Sequence, residues 1–143
     1  MIQKLNSRRG GFTLVEIMIV VAIIALLAAI AVPGFLRARK RSQATTLLNT
    51  LRLLDSAKDQ YAIDYNKSTV TPASIDLRGY FKSGSILYSS LVTAAAAATF
   101  PDPKIQGVSY GINDTNTMPS ISTGGAFSDV VDTAFWSPYT LQN

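Results

Sequence analysis

The sequence predicts an α+β chain: one long N-terminal α-helix, its first half able to span a membrane, packed on a small C-terminal head with a few antiparallel strands. Three observations predict it. Every residue from Ile17 to Val32 is apolar, inside a longer segment from Phe12 to Leu36 interrupted only by Thr13, Glu16, Pro33 and Gly34. Apolar residues then recur at steps of three and four between Ala44 and Tyr65, the period of an amphipathic helix. Beyond Asn66 that period is lost, and short apolar segments alternate with glycine, proline and an Asn-Asp pair.

Each element follows in order. Residues 1–11, MIQKLNSRRGG, are polar and basic and end in two glycines. As a helix, residues 12–36 reach about 37 Å at ~1.5 Å per residue, enough for a hydrocarbon core of ~30 Å. A basic knot follows, Arg37, Arg39, Lys40 and Arg41. Arginine and lysine are good helix formers, so no stop separates the apolar segment from its amphipathic continuation, residues 37–65. One helix from about Phe12 to Tyr65 would run ~80 Å. Its second half carries a stripe of Ala44, Leu47, Leu48, Leu51, Leu54, Ala57, Tyr61 and Tyr65. Arg52, Asp55, Lys58, Asp59 and Asp64 fall mainly off that stripe, with Asp55 and Asp59 like charges one turn apart.

The head is expected over residues 66–143. In TPASIDLRGYF, Thr71 suits an N-cap, Pro72 the first helical position and Gly79 a stop, predicting one short helix. SILYSSLVTAAAAATF is two-natured: its front half suits a strand and Ala94–Ala98 a helix, with Pro101 and Pro103 ending it. Ile105, Val108, Tyr110 and Ile112 alternate imperfectly toward an Asn113–Asp114 turn, and TMPSIS supplies a partner strand for a hairpin. The tail AFSDVVDTAFWSPYTLQ has room for one more strand.

Composition removes most catalytic chemistry. The chain has 143 residues, room for one domain, and neither cysteine nor histidine. It therefore lacks thiolate ligands, disulfides and the commonest general base. No cofactor is expected, and no metal site. Asp114, Asp129 and Asp132 are candidate calcium ligands by type, but their spacing matches no calcium loop. The formal charge of +4 reports two clusters, since from Ser42 onward six Lys and Arg face eight Asp. With no second basic patch and no interleaved aromatics there, nucleic acid is not an expected partner. Tyr61, Tyr65, Tyr80, Phe81 and Tyr110 are expected in ordinary core packing.

The apolar segment admits three readings. A secretory signal peptide fits the basic start and the small residues of LAAIAV, but the run exceeds the usual ~7–15 residues and a glutamate stands at its mouth. A plain membrane anchor for an unrelated binding module that does not polymerise fits the length. Flanking charge does not orient it, with three basic residues before and four after. The third reading must account for Glu16, because a carboxylate within a membrane helix costs about 2.5–3.5 kcal/mol near the centre on insertion scales.

The stretch GGFTLVEIMIVVAIIALLAAIAVP resembles the N-terminus of type IV pilins and the pseudopilins of type II secretion. The likeness is specific over residues 8–36, weaker to Tyr65, and absent beyond. Members are subunits of prokaryotic filaments, so the resemblance implies a pilin-like fold and a structural, non-enzymatic role. It implies that residues 1–11 are a leader, removed between Gly11 and Phe12 by a membrane-embedded prepilin peptidase, with Phe12 then N-methylated. Cutting after Gly10 instead would make Glu16 the sixth mature residue, where the family pattern has glutamate fifth. The two glycines also suit a merely flexible cap before the helix.

The same resemblance implies that Glu16 meets the Phe12 amine of a neighbouring subunit during assembly; complementing its own helix dipole is the intramolecular alternative. Pro33, with Gly34, resembles the family's helix-breaking site, where the helix bends or partly melts in a filament, unless the helix simply ends at Val32. Arg37, Arg39, Lys40 and Arg41 stand where basic residues meet lipid phosphates at the membrane interface before assembly. Implied partners are other copies of the chain in a helical filament, the prepilin peptidase, an inner-membrane assembly platform with its ATPase, and lipid. Implied locations are the bacterial inner membrane for the single-pass precursor and a periplasmic or cell-surface filament afterwards. The C-terminal cysteine pair of many pilins is missing, which leans toward a pseudopilin or a short pilin.

Overall fold

The computed structural model describes residues 11–67, 69–93 and 98–142. The expected leader lies outside them apart from Gly11, as do four of the five alanines of Ala94–Ala98. The chain divides into two compact units, Met1–Ala38 and Arg39–Asn143.

Helix α1, Leu14–Tyr65, contributes to both units. It starts two residues later than expected, because Thr13 serves as its cap: Glu16 N–H donates to Thr13 Oγ1 at 3.3 Å, and Ile17 N–H to the Thr13 carbonyl at 3.3 Å. Pro33 lies inside α1, so the helix neither ends at Val32 nor breaks at Pro33 and Gly34 in the single chain. Proline forfeits one backbone hydrogen bond and crowds the carbonyl four residues back, a local cost of about 3 kcal/mol. Good helix formers on either side, Ala28 and Ala29 before and Leu36, Arg37 and Ala38 after, carry the helix through it.

In the first unit, every described residue is exposed. The second unit has a core. Ala44, Leu47, Leu48, Leu51, Leu54, Ala57 and Tyr61 of α1 are buried as the stripe requires. Tyr65 is not: it is the final helical residue, 59% exposed, and stacks on Tyr61 at 4.7 Å between ring centroids. Around α1 the hydroxyls of Thr45, Thr46, Thr50 and Ser56 donate to the carbonyls four residues back, Thr45 and Ser56 away from the stripe and Thr46 and Thr50 beside it, lining a cleft with Asp102 and Lys104.

Against the stripe pack Leu77, Leu91, Phe100, Val108, Tyr110, Ile112, Ile121, Phe127 and Trp136. Helix α2, Ser74–Leu77, is shorter and later than the Thr71 cap implied. Ala73 is its N-cap, and the side chain of Asp76 accepts the Ala73 N–H at 3.1 Å in place of a capping hydroxyl. Gly79 does not stop the chain, which runs on as a 3-10 turn over Arg78–Tyr80. The front half of the two-natured segment is helix where a strand was expected. This is helix α3, Ile86–Thr93, opened by Ser85, whose Oγ accepts the Tyr88 N–H at 3.1 Å. The segment's end is strand β1, Thr99–Pro101, so Pro101 sits within the strand rather than terminating it. An edge strand tolerates proline because one side of its backbone faces no partner.

Strands β2, Ser109–Gly111, β3, Ser120–Ser122, and β4, Thr140–Gln142, complete a four-stranded sheet in the order β1-β2-β3-β4. The first three are antiparallel, with Tyr110 opposite Phe100 on one side and Ile121 on the other. Here the expected hairpin is present, its turn carrying Asn113 at φ 55°. β4 departs from the expected antiparallel pattern and runs parallel to β3. A parallel neighbour needs a crossover of roughly a dozen residues or more, and residues 123–139, with a 3-10 turn at Thr133–Trp136, supply it.

Candidate assembly site

The first group of candidate residues singled out from sequence gathers at the start of α1. Gly11 and Phe12 precede the helix, and a side chain built at Gly11 would meet nothing within 4 Å. Space therefore does not demand glycine there; an open, permissive backbone is what it offers. Phe12 is 80% exposed. Glu16 lies in the first turn of α1, where a carboxylate complements the helix dipole. Among the described residues its carboxylate accepts no hydrogen bond, while its own N–H is held by Thr13. Thr13 was not singled out from sequence, yet the signal was present: Thr-Leu-Val-Glu has the spacing of a capping box.

From Leu14 to Leu36 the helix is long and apolar enough to cross a membrane and none of its apolar window is buried. Soluble monomers rarely expose so much contiguous apolar surface, so this side of the molecule requires lipid or protein around it. Pro33 and Gly34 lie inside that surface.

The basic knot divides. Arg37, Arg39 and Arg41 are exposed. Lys40 is half-buried and its Nζ contacts Asp129 Oδ2 at 2.8 Å. No sequence signal links residues 89 positions apart, so this acidic partner was not foreseen. Arg41 lines a cleft of about 350 Å³ with Asp129, Asp132 and Phe135.

The head's titratable groups serve its own architecture. Asp102 Oδ1 accepts the N–H groups of Lys104 and Ile105 at 2.8 Å, and Oδ2 accepts the Tyr110 hydroxyl at 2.6 Å. Burial, and then Asp102, push the Tyr110 pKa upward. Lys58 is 1% exposed and donates to the Thr117 carbonyl. Its burial lowers its pKa, with Asp55, Asp114 and Asp59 pulling the other way. Lysine falls within the apolar stripe by position, but its charge disguised its burial. The three acids weighed as calcium ligands do separate jobs. Asp114 accepts the Asn116 N–H, Asp129 pairs with Lys40, and Asp132 caps the last 3-10 turn through the Phe135 N–H. Tyr61 and Tyr110 are core residues, and Tyr80 and Phe81 pack against the core at its edge.

Comparison with known proteins converges on the same end of the chain. The prokaryotic N-terminal methylation motif matches residues 6–32. The type IV wide pilus major component PilA4 of Thermus thermophilus is 38% identical over 86 residues, covering 60% of this chain and 66% of that protein. Fimbrial protein EcpC of Eikenella corrodens is 33% identical over 129 residues, covering 87% of this chain and 82% of its own length. The type II secretion system core protein G of Aeromonas hydrophila is 30% identical over 71 residues, half of each chain. Several relatives are longer than the region they share, the match spanning between 39% and 66% of their length. No solved structure matches at comparable significance.

Proposed function

The chain belongs to the type IV pilin and type II secretion pseudopilin family, and from that premise we propose that it is a structural subunit of a filament of this kind. The observation that carries the proposal is the pairing of one carboxylate without a partner among the described residues, Glu16, with a wholly exposed apolar helix surface. Cleavage of the Gly11–Phe12 bond by the prepilin peptidase creates an ammonium group on Phe12, one helical turn from Glu16. N-methylation leaves that charge in place. Within lipid, Glu16 is costly; the Phe12 amine of an adjoining subunit offsets the cost, so the subunit is drawn out of the membrane into a defined axial position. Helix 12–36 then exchanges lipid for the same helix of its neighbours, and residues 66–143 face outward.

Before that step, Arg37, Arg39 and Arg41 hold the subunit at the phosphate layer of the inner membrane. Pro33 and Gly34 mark where α1 yields if the packed helices demand a bend, since one hydrogen bond is already missing there. The assembly platform and its ATPase supply the work of extraction, and the filament lies in the periplasm or at the cell surface.

The test is Glu16→Ala in the full-length chain. Normal processing with loss of filaments is expected. Filaments as abundant as the parent's would leave a non-polymerising, membrane-anchored binding module as the better account. N-terminal sequencing of the mature chain should begin at Phe12; a start beyond Ala29 would instead mark a secreted soluble protein.

A further inference from the structure

We infer that Arg41 and Asp59, at opposite ends of the head's share of α1, are matched charges through which one copy of the chain sets its axial position on another. The inference rests on the filament proposal and concerns a contact separate from the Phe12–Glu16 pairing.

The two residues stand eighteen positions apart in α1. At ~3.6 residues per turn that is five whole turns, so they share one side of the helix about 27 Å apart along its axis. A parallel copy displaced by about 27 Å therefore brings its Arg41 level with the Asp59 of its neighbour. The sequence repeats this spacing one turn earlier, from Arg37 to Asp55.

Both side chains are exposed, and among the described residues neither makes a hydrogen bond or ion pair. Their obvious partners within the chain are engaged elsewhere. Asp129, which shares the cleft of Arg41, is held by Lys40, and Asp132 caps the Phe135 N–H. On the other side, Lys58 is buried against the Thr117 carbonyl, and Lys67 lies over the Tyr65 ring at 6.0 Å. Asp59 feels Lys58 through space without a hydrogen bond to it and is opposed by Asp55, whose pKa is raised by burial and then by Asp59 itself. A like-charge pair at this spacing destabilises a helix, and a cation from a second copy would relieve it.

Each charge also sits in a concave surface suited to a protein neighbour. Arg41 lines the cleft of about 350 Å³ beside Val130 and Phe135; Asp59 lines one of about 530 Å³ beside Ile63, which is 73% exposed. Unlike surfaces meeting in this way make a head-to-tail contact, which propagates as an open filament and does not close as a dimer. Exposed ion pairs add little affinity but penalise wrong registers, which is the task required here.

The experiment uses the full-length chain in cells that assemble it, with sheared filaments quantified by electron microscopy. Arg41→Asp and Asp59→Arg are each expected to cut filament mass about tenfold, and the two together to restore most of it. A double exchange that assembles no better than the poorer single variant overturns the pairing. A second measurement does not depend on yield. The chain has no cysteine, so Arg41→Cys combined with Asp59→Cys can be joined by a short bismaleimide. A ladder of dimers, trimers and longer products is expected, with no products beyond dimers from either single variant. Absence of the ladder from filaments of the double variant overturns the contact. Glu16→Ala separates the two proposals. If it abolishes filaments while the charge variants assemble normally, the register contact alone fails. If it assembles normally too, the filament account fails with it.

Discussion

The helix before Ala38 and the unit that follows it solve the burial problem in opposite ways. Leu26 and Leu51 are the same residue in the same helix, yet Leu26 is 66% exposed and Leu51 fully buried. After Arg39 the chain covers its own apolar stripe, using Leu91, Tyr110, Ile121 and Trp136. Before Ala38 it covers nothing, and the apolar surface is continuous around the helix rather than confined to one stripe. A stripe implies a partner on one side, within the chain. Apolar residues on all sides imply an apolar medium, lipid or a crowd of like helices. The difference separates what stabilises the protein from what it assembles with.

Truncating both leucines puts that contrast to its strongest test. Leu51→Ala is expected to lower the stability of the head by about 2–5 kcal/mol, the usual cost of a buried leucine. Leu26→Ala should leave it unchanged within roughly 0.5 kcal/mol, as surface changes do. Urea unfolding of the detergent-solubilised chain, followed by near-ultraviolet circular dichroism, reads the head directly; equal shifts would abolish the distinction.

A smaller effect is expected in the middle of the sheet. A methyl group at Gly111 would stand 2.3 Å from Ser120 Oγ, a buried hydroxyl without a hydrogen-bond partner among the described residues. Gly111→Ala should cost about 1–3 kcal/mol as overpacking. Adding Ser120→Ala should recover most of that loss, since it makes room and removes that buried hydroxyl. If the double variant is as unstable as Gly111→Ala, the clash lies elsewhere.

Alkaline pH sharpens the comparison further, because it loads the head's buried groups. Tyr110 holds its proton above the ordinary value of 10.0, so the folded state ionises later than the unfolded one. Its contribution is complete below about pH 10 and is lost as pH rises beyond. Tyr139 shifts upward too, and Tyr80 is pushed up to about 12. Lys58 acts oppositely: its lowered pKa penalises the fold at neutral pH and is relieved as pH climbs toward 10.5. Tyr110→Phe should therefore flatten the decline in stability above about pH 10, measured as urea midpoints against pH. An unchanged slope would remove Tyr110 as its cause.

The smallest change is expected from Lys40→Met. Both members of the Lys40–Asp129 pair are about half exposed, at 43% and 53%, so the loss should stay below about 1 kcal/mol and shrink with salt. A larger loss would show that the knot contributes to the head's fold.

Legibility in the sequence followed the range of the interactions. The stripe of α1 was readable because its period repeats over about six turns, and the N-terminal methylation motif because it is one contiguous pattern. The hairpin of β2 and β3 was readable from alternation and an Asn-Asp turn. Ile86–Thr93 misled because β-branched and aromatic residues favour strands on average, while the helix is capped by Ser85 and packs Leu87 and Leu91 on the core. Three-residue strands give too few alternations to reveal their partners, so the parallel pairing of β4 had no local signature. Lys58 and Asp129 owe their roles to residues distant in sequence, Thr117 and Lys40.

The back-bonded hydroxyls of α1 have a consequence for wetting. Thr45, Thr46, Thr50 and Ser56 place polar groups around the stripe, but each donor already points at a carbonyl of its own backbone. Stripping water from them leaves none of those donors unsatisfied, so the usual desolvation charge on a threonine-rich surface is largely absent. Such positions stay wet while exposed and become dry without rearranging: Thr45 is exposed and Thr50 half-buried beside the head with the same bond intact.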